Sequence, residues 1–160
     1  MIHLQHEDGC EPVYRTINSS CADVVAREDT FLPCATVDVN GKISMPKVQL
    51  VSTGLKISAV ELDQYKGTFV PELQLRARSS LSLGGIMLAN GVGTIDADYR
   101  QEILVPLINM SNAGYTVKAG DSIAQITLGL RAKLYSASIE AVERSGGFGS
   151  TDKKIDIIES

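Results

Sequence analysis

Along much of this chain apolar and polar residues alternate one for one, and that period of two is the strongest limit on its fold. In "VPELQLRARSSL" (70–81), Leu73, Leu75 and Ala77 alternate with Gln74, Arg76 and Arg78. In "DSIAQITLGLRAKL" (121–134), Ile126, Leu128 and Leu130 alternate with Thr127 and Gly129. Successive side chains of a strand point to opposite faces, so this pattern demands sheets with one buried face. In "KVQLVSTGLKISAV" (47–60), Val48 and Leu50 share one parity and Leu55, Ile57 and Ala59 the other. That predicts a register change at "STG". Turn signals punctuate the pattern at "VNGK" (39–42), "LGGI" (83–86), "ANGVG" (89–93), "SNAG" (111–114) and "KAGD" (118–121). Many short strands at such spacing predict an all-β sandwich or barrel. The one short helix expected is "SSLSLG" (79–84), with a serine as its N-cap. The apolar stretch "EILVPLIN" (102–109) suits a buried contact between subunits.

The length of 160 residues fits one domain with a genuine core. A net charge of −4 argues against a broad nucleic-acid or anionic-membrane surface, so neither partner is expected. Cys10, Cys21 and Cys34 are an odd number without a CxxC pair, as in reduced intracellular proteins. Cys21 reads as a small buried residue. The start, "MIHLQHEDGC", carries no apolar signal core, and the longest apolar run, broken by Pro106 and Asn109, is too short to span a bilayer. A cytoplasmic location is the expectation. His3, His6 and Cys10 lack a nearby fourth ligand and read as incidental. No Ser–His–Asp triad can form from two N-terminal histidines. The last residues, "RSGGFGSTDKKIDIIES", turn from Gly/Ser-rich to charged, which divides the chain into a β domain (1–143) and a C-terminal arm (144–160) expected to be mobile.

Four stretches carry chemistry. "GTIDADYRQE" (93–102) sets Asp96, Asp98, Tyr99, Arg100 and Glu102 against the start of a core strand, where desolvating charge is costly. A plain turn explains the glycine and one acid only. "RARSSL" (76–81) offers guanidinium forks and hydroxyls suited to phosphate oxygens, and equally reads as a cationic strand with a capped turn. "GDSIAQ" (120–125) sets a polar Gln125 in an otherwise apolar strand. "SGGFGST" (145–151) lets backbone amides approach an anion and carries a lone aromatic, Phe148, which is either a tether or a stacking lid.

Taken in order, "SSCADVVA" (19–26), "RSSL" (78–81), "NGVGTIDADYRQEI" (90–103), "GDSIAQ" and "GGFGST" (146–151) resemble the five motifs of the trimeric dUTP pyrophosphatases, the dUTPases. The resemblance spans about residues 19–151. It implies a distorted β jelly-roll assembled as a homotrimer, each active site drawing on several subunits. It implies hydrolysis of dUTP to dUMP and pyrophosphate, which limits uracil incorporation into DNA and supplies dUMP for dTMP synthesis. Asp96 would activate the water that attacks the α-phosphorus. Tyr99 would pack on the sugar and exclude a 2′-hydroxyl. Asn90, with backbone groups of a tight hairpin at Gly93, Thr94 and Ile95, would read uracil. Arg78, Ser79 and Ser80 would cradle phosphate, with Gln125 near the α-phosphate. Phe148 would stack on the base as the arm closes, and Arg144, Gly149, Ser150 and Thr151 would clamp the terminal phosphates. Asp23 would support this network indirectly. Mg²⁺ would be held by the triphosphate and water, with no direct protein ligand. Asp98 reads as a structural partner for nearby arginines. Arg144 stands one residue nearer the double glycine than in the family pattern, and Asp152 replaces a glycine.

Strict alternation would place Asp96 and Tyr99 on opposite faces, so a sharp turn between them is required. The rival activity is that of dCTP deaminase, which shares the fold and the "RSS" motif but needs a glutamate beside the base. A nucleotide-switched regulatory relative of the dUTPases is the rival of another class.

Overall fold

A computed structural model describes residues 1–61 and 69–132. The described residues form thirteen strands and one five-residue helix, and every strand pair is antiparallel. The sheet that carries the motifs has the order β10 (Gly93–Asp96), β8 (Phe69–Ala77), β13 (Ser122–Ala132), β2 (Ala22–Val25). A three-stranded sheet has the order β6 (Gln49–Ser52), β11 (Leu104–Asn109), β9 (Ile86–Leu88). Three two-stranded ribbons complete the set. They pair β1 (Ile2–His6) with β7 (Leu55–Val60), β12 (Tyr115–Val117) with β3 (Thr30–Leu32), and β4 (Thr36–Val37) with β5 (Ile43–Ser44). Apart from β4–β5, neighbours in space are far apart in sequence, as in a distorted jelly-roll.

One core joins these sheets. Ala22, Val24, Leu73, Leu75, Ala124 and Ile126 face it from the larger sheet, and Val51, Val105, Leu107, Ile86 and Leu88 from the smaller. Leu32, Leu55, Val51 and Val105 are wholly buried, each worth roughly 1.5–3 kcal/mol relative to exposure. Leu73, Leu75 and Ile126 face the core as expected, but Ala77 is exposed, Gln74 is buried, and Leu128 and Leu130 run beyond the core and are half-exposed.

The register change expected at "STG" does not occur. Val51, Thr53, Leu55 and Ile57 are all buried and all share one parity, while Val48 and Leu50 face outward. A polar residue holds the inward position without penalty: Thr53 Oγ1 donates to the Ile103 carbonyl at 2.5 Å. Beside it Gly54 has φ +67°, and a Cβ there would lie 3.0 Å from Cys10 Sγ. Cys10 is thus the buried cysteine, its thiol pushed up by burial, whereas Cys21 is only partly covered.

The outer face of β6–β11–β9 is apolar as well. Leu50, Met87 and Met110 are about half-exposed there, beside Ile108. The strand β11 therefore has an apolar side turned to the core and another turned away from it.

Candidate active site

The helix α1 (Ser79–Leu83) follows β8, and its N-cap is Arg78, not a serine. Arg78 makes no side-chain cap bond, because a guanidinium has no acceptor for the helix N–H groups. It donates through Nη1 to Asp23 Oδ2. Arg15 Nε donates to the same oxygen at 2.8 Å, and Gln125 Nε2 to Oδ1 at 3.0 Å. Register explains the meeting: Asp23, Gln125 and Arg76 lie opposite one another on β2, β13 and β8, facing away from the core. Asp23 is nevertheless only 2% exposed. Burial opposes its ionisation, but the bonds from Arg15 and Gln125 and the charges of Arg78 and Arg15 outweigh it, holding the carboxyl below its ordinary range. An acid with both oxygens so engaged orients its donors; it is not placed to take a proton.

Beside this cluster lies a cleft of about 250 Å³, lined by Arg78, Ser80, Leu81, Tyr115, Val117, Asp121, Ser122 and Ile123. Ser79 and Ser80 are exposed in the first turn of α1, and Ser80 reaches the cleft wall. Guanidinium, hydroxyls and an open mouth suit an oxyanion.

Asp96 sits elsewhere. It ends β10, exposed, directly opposite Glu72 of β8 and on the same outward face. Glu72 is itself held by Arg131 Nε at 2.7 Å and Gln74 Nε2 at 2.6 Å. The chain then turns sharply, with the Tyr99 amide donating to the Asp96 carbonyl at 3.0 Å. The expected sharp turn between residues 96 and 99 is present, with Asp96 exposed on the outward face and the Tyr99 ring turned to the core. The Tyr99 ring packs against the core and its hydroxyl donates to the Glu102 carbonyl at 3.1 Å. Thr94 is exposed on the outward face, while the Ile95 side chain turns inward onto the core.

The other charges of this stretch are structural. Glu102 accepts from Ser52 Oγ at 2.5 Å and the Gly54 amide at 2.8 Å, fastening the loop to the end of β6. Burial raises its pKa, and these bonds, with Arg27 nearby, more than reverse the effect. Arg100 donates to the carbonyls of Ala97 and Tyr99, at 2.7 and 3.3 Å. Among the described residues no arginine pairs with Asp98, contrary to the sequence expectation.

The expected tight hairpin at 90–94 is instead a connection between sheets, since β9 pairs with β11 and β10 with β8. Its shape is set by Gly93, where a Cβ would lie 2.9 Å from Asn90 Nδ2 and 3.3 Å from Leu75 Cβ. The Asn90 amide therefore lies over the glycine.

The described chain does not gather all these residues in one place. Asp96 pairs with Glu72, while Arg78 stands six positions further along β8's direction. At a rise of about 3.4 Å per residue, the backbone at these two positions is roughly 20 Å apart. Arg144, Phe148, Gly149, Ser150 and Thr151, and the boundary at 143/144, lie outside the described residues. Arg15 was not singled out from sequence, and no local pattern marks it, because its bonds to Asp23 and Ser122 cross strands. Among the described residues no three His, Cys, Asp or Glu side chains form a metal-holding group, and none of the helices is long and apolar enough to cross a membrane.

Comparison with known proteins accords with this architecture. A family model described as dUTPase matches residues 34–152. The deoxyuridine 5'-triphosphate nucleotidohydrolase of Finegoldia magna is 37% identical over 145 residues, covering 88% of this chain and 90% of that protein. The protein of the same name from Treponema pallidum is 42% identical, with 88% of each chain covered. A crystal structure of dUTPase from Streptococcus mutans matches with a TM-score of 0.66 over 83% of this chain and 98% of its own, at 21% identity, a likeness of fold. The family match covers most of the length and the identities exceed one third over nearly all of it, so this chain is a member of the dUTPase family.

Proposed function

We infer that this protein is a dUTP diphosphatase that cleaves dUTP to dUMP and pyrophosphate, with Asp96 aiming and deprotonating the attacking water at the α-phosphorus. The observation that carries the mechanism is the contrast in the site's acids. Asp96 is exposed at the end of β10, whereas Asp23 is 2% exposed beneath Arg15, Arg78 and Gln125. Phosphoryl transfer asks mainly for positioning and charge stabilisation, which a carboxylate can supply. Arg78 and the Ser79–Ser80 hydroxyls supply donors for the phosphates, and Gln125 is oriented by Asp23 beside them. Asn90, held over Gly93, presents an amide to the uracil edge, and the fixed Tyr99 ring packs on the deoxyribose. Arg144, Phe148, Gly149, Ser150 and Thr151 close the arm (144–160) over the nucleotide.

The separation of Asp96 from Arg78 supports sites shared between subunits of a homotrimer: one chain supplies Asp96, Tyr99 and Asn90, and a neighbour supplies Arg78, Ser80 and Gln125. The apolar outer face of β6–β11–β9 is the surface such an assembly would cover. Mg²⁺ fits this chain as part of the nucleotide complex. The Asp23 oxygens are engaged by three donors, and phosphate oxygens with water satisfy the cation's octahedral demand. When bound, the cation neutralises phosphate charge. The physiological consequence is a lower dUTP level during DNA synthesis, in the cytoplasm.

The test is pyrophosphate release from dUTP, dTTP, UTP and dCTP with Mg²⁺, alongside sedimentation of the protein. Strong preference for dUTP is expected, from a particle of three times the 17.1 kDa chain mass. Similar turnover of all four nucleotides would sink the base-reading role of Asn90, and an active monomer would sink the shared site.

A further inference from the structure

Asp23 holds two guanidiniums, and the phosphate cradle assigned above uses only one. Arg15 lies in irregular backbone, yet its position is fixed. Val13 and Asp23 exchange backbone hydrogen bonds of 3.1 and 2.9 Å, and Thr16 and Ser19 close a turn just beyond. Thr127 Oγ1 then ties the Ser20 carbonyl to β13 at 2.9 Å. Between these anchors, Arg15 Nε donates to Asp23 Oδ2 at 2.8 Å and Nη2 donates to Ser122 Oγ at 3.0 Å. Ser122 and Arg78 both line the 250 Å³ cleft, so the Arg15 guanidinium stands at its rim.

A guanidinium has five N–H donors, so two bonds leave others unspent. The Arg15 side chain is 60% exposed against 25% for Arg78, and those donors meet solvent. One carboxylate cannot neutralise two guanidiniums. Asp121, the other acid of the cleft, uses its carboxylate to accept the Lys118 amide at 2.9 Å. A pair built only to brace the fold needs one arginine. A second one, braced but with donors to spare at the rim of the cleft, has the form of a phosphate fork.

We propose that Arg15 is a direct phosphate ligand of the nucleotide site, a second guanidinium beside Arg78 that grips the triphosphate of dUTP. This rests on the dUTP reading above. Two variants separate charge from bracing. Arg15→Gln keeps a donor for Asp23 but loses the charge; Arg15→Lys keeps the charge but loses the fork. For each, the measurements are kcat and KM for dUTP, calorimetric affinity for inorganic tripolyphosphate, inhibition by deoxyuridine, and thermal melting. In Arg15→Gln, KM for dUTP and the tripolyphosphate Kd should rise roughly ten-fold, with deoxyuridine inhibition and Tm unchanged. Arg15→Lys should recover part of the loss. Wild-type KM and tripolyphosphate affinity in Arg15→Gln would make Arg15 a brace and overturn the proposal, as would an equal loss of deoxyuridine binding. Should the wild type fail to turn over dUTP while Arg15→Gln still weakens tripolyphosphate binding, the dUTP reading falls and the Arg15 contact stands.

Discussion

Asp23 and Asp96 project from the same outward face of one sheet, from its two opposite edge strands, β2 and β10. Asp23 is 2% exposed and accepts from Arg15, Arg78 and Gln125. Asp96 is exposed at the end of its strand, beside a sharp turn. The two residues have the same chemistry, yet their surroundings give them different tasks. A carboxylate surrounded by donors is fixed in charge and can only orient its neighbours. One exposed to solvent at a strand end is within reach of water.

Asp96→Asn tests the exposed acid and should have the largest effect. We expect kcat on dUTP to fall by roughly 10³-fold with Tm unchanged, since general-base removal costs about 10²–10⁴. Near-normal turnover would erase the distinction between the two acids. Asp23→Asn should reverse the pattern, with a stability loss of about 2 kcal/mol, a higher KM, and a smaller fall in kcat. Denaturant melts read the first part directly, and an unaltered midpoint would remove Asp23 from the scaffold.

The pH dependence of stability follows from the same contrast. Asp23 and Glu102 titrate lower folded than unfolded. Their stabilisation is therefore fully present above the unfolded values, near ~4, and is lost as pH falls through the folded ones. Acid melts of Asp23→Asn and Glu102→Gln should show a shallower fall than wild type; parallel curves would contradict it. The smallest effect is expected from Gly93→Ala. Its Cβ would meet Asn90 Nδ2 at 2.9 Å, so the amide must move. A few-fold rise in KM for dUTP, about 1 kcal/mol, should appear with little change in melting.

Alternation made β8 and β13 readable, because a strand with one buried face writes its burial into every second residue. The same rule misled at β6. Thr53 faces the core, and only its bond to the Ile103 carbonyl, fifty residues away, makes that position tolerable. The serine N-cap failed for a related reason: Arg78 occupies that place, with its side chain drawn off to Asp23. Asp98, with no arginine beside it among the described residues, reads no differently from Glu102 in sequence. Glu102 earned its structural role from Ser52 and Gly54 on another strand.

What the sequence determined by itself was the β class and the order of the five motifs, since period and spacing are properties of neighbouring residues. Membership of the dUTPase family followed from that order. The tertiary structure alone decided which acid is buried and which is exposed, and that Arg15 joins Arg78 and Gln125 at Asp23. Its bond to Ser122 spans 107 residues, a meeting set by strand register and one backbone bridge, and no local pattern encodes it.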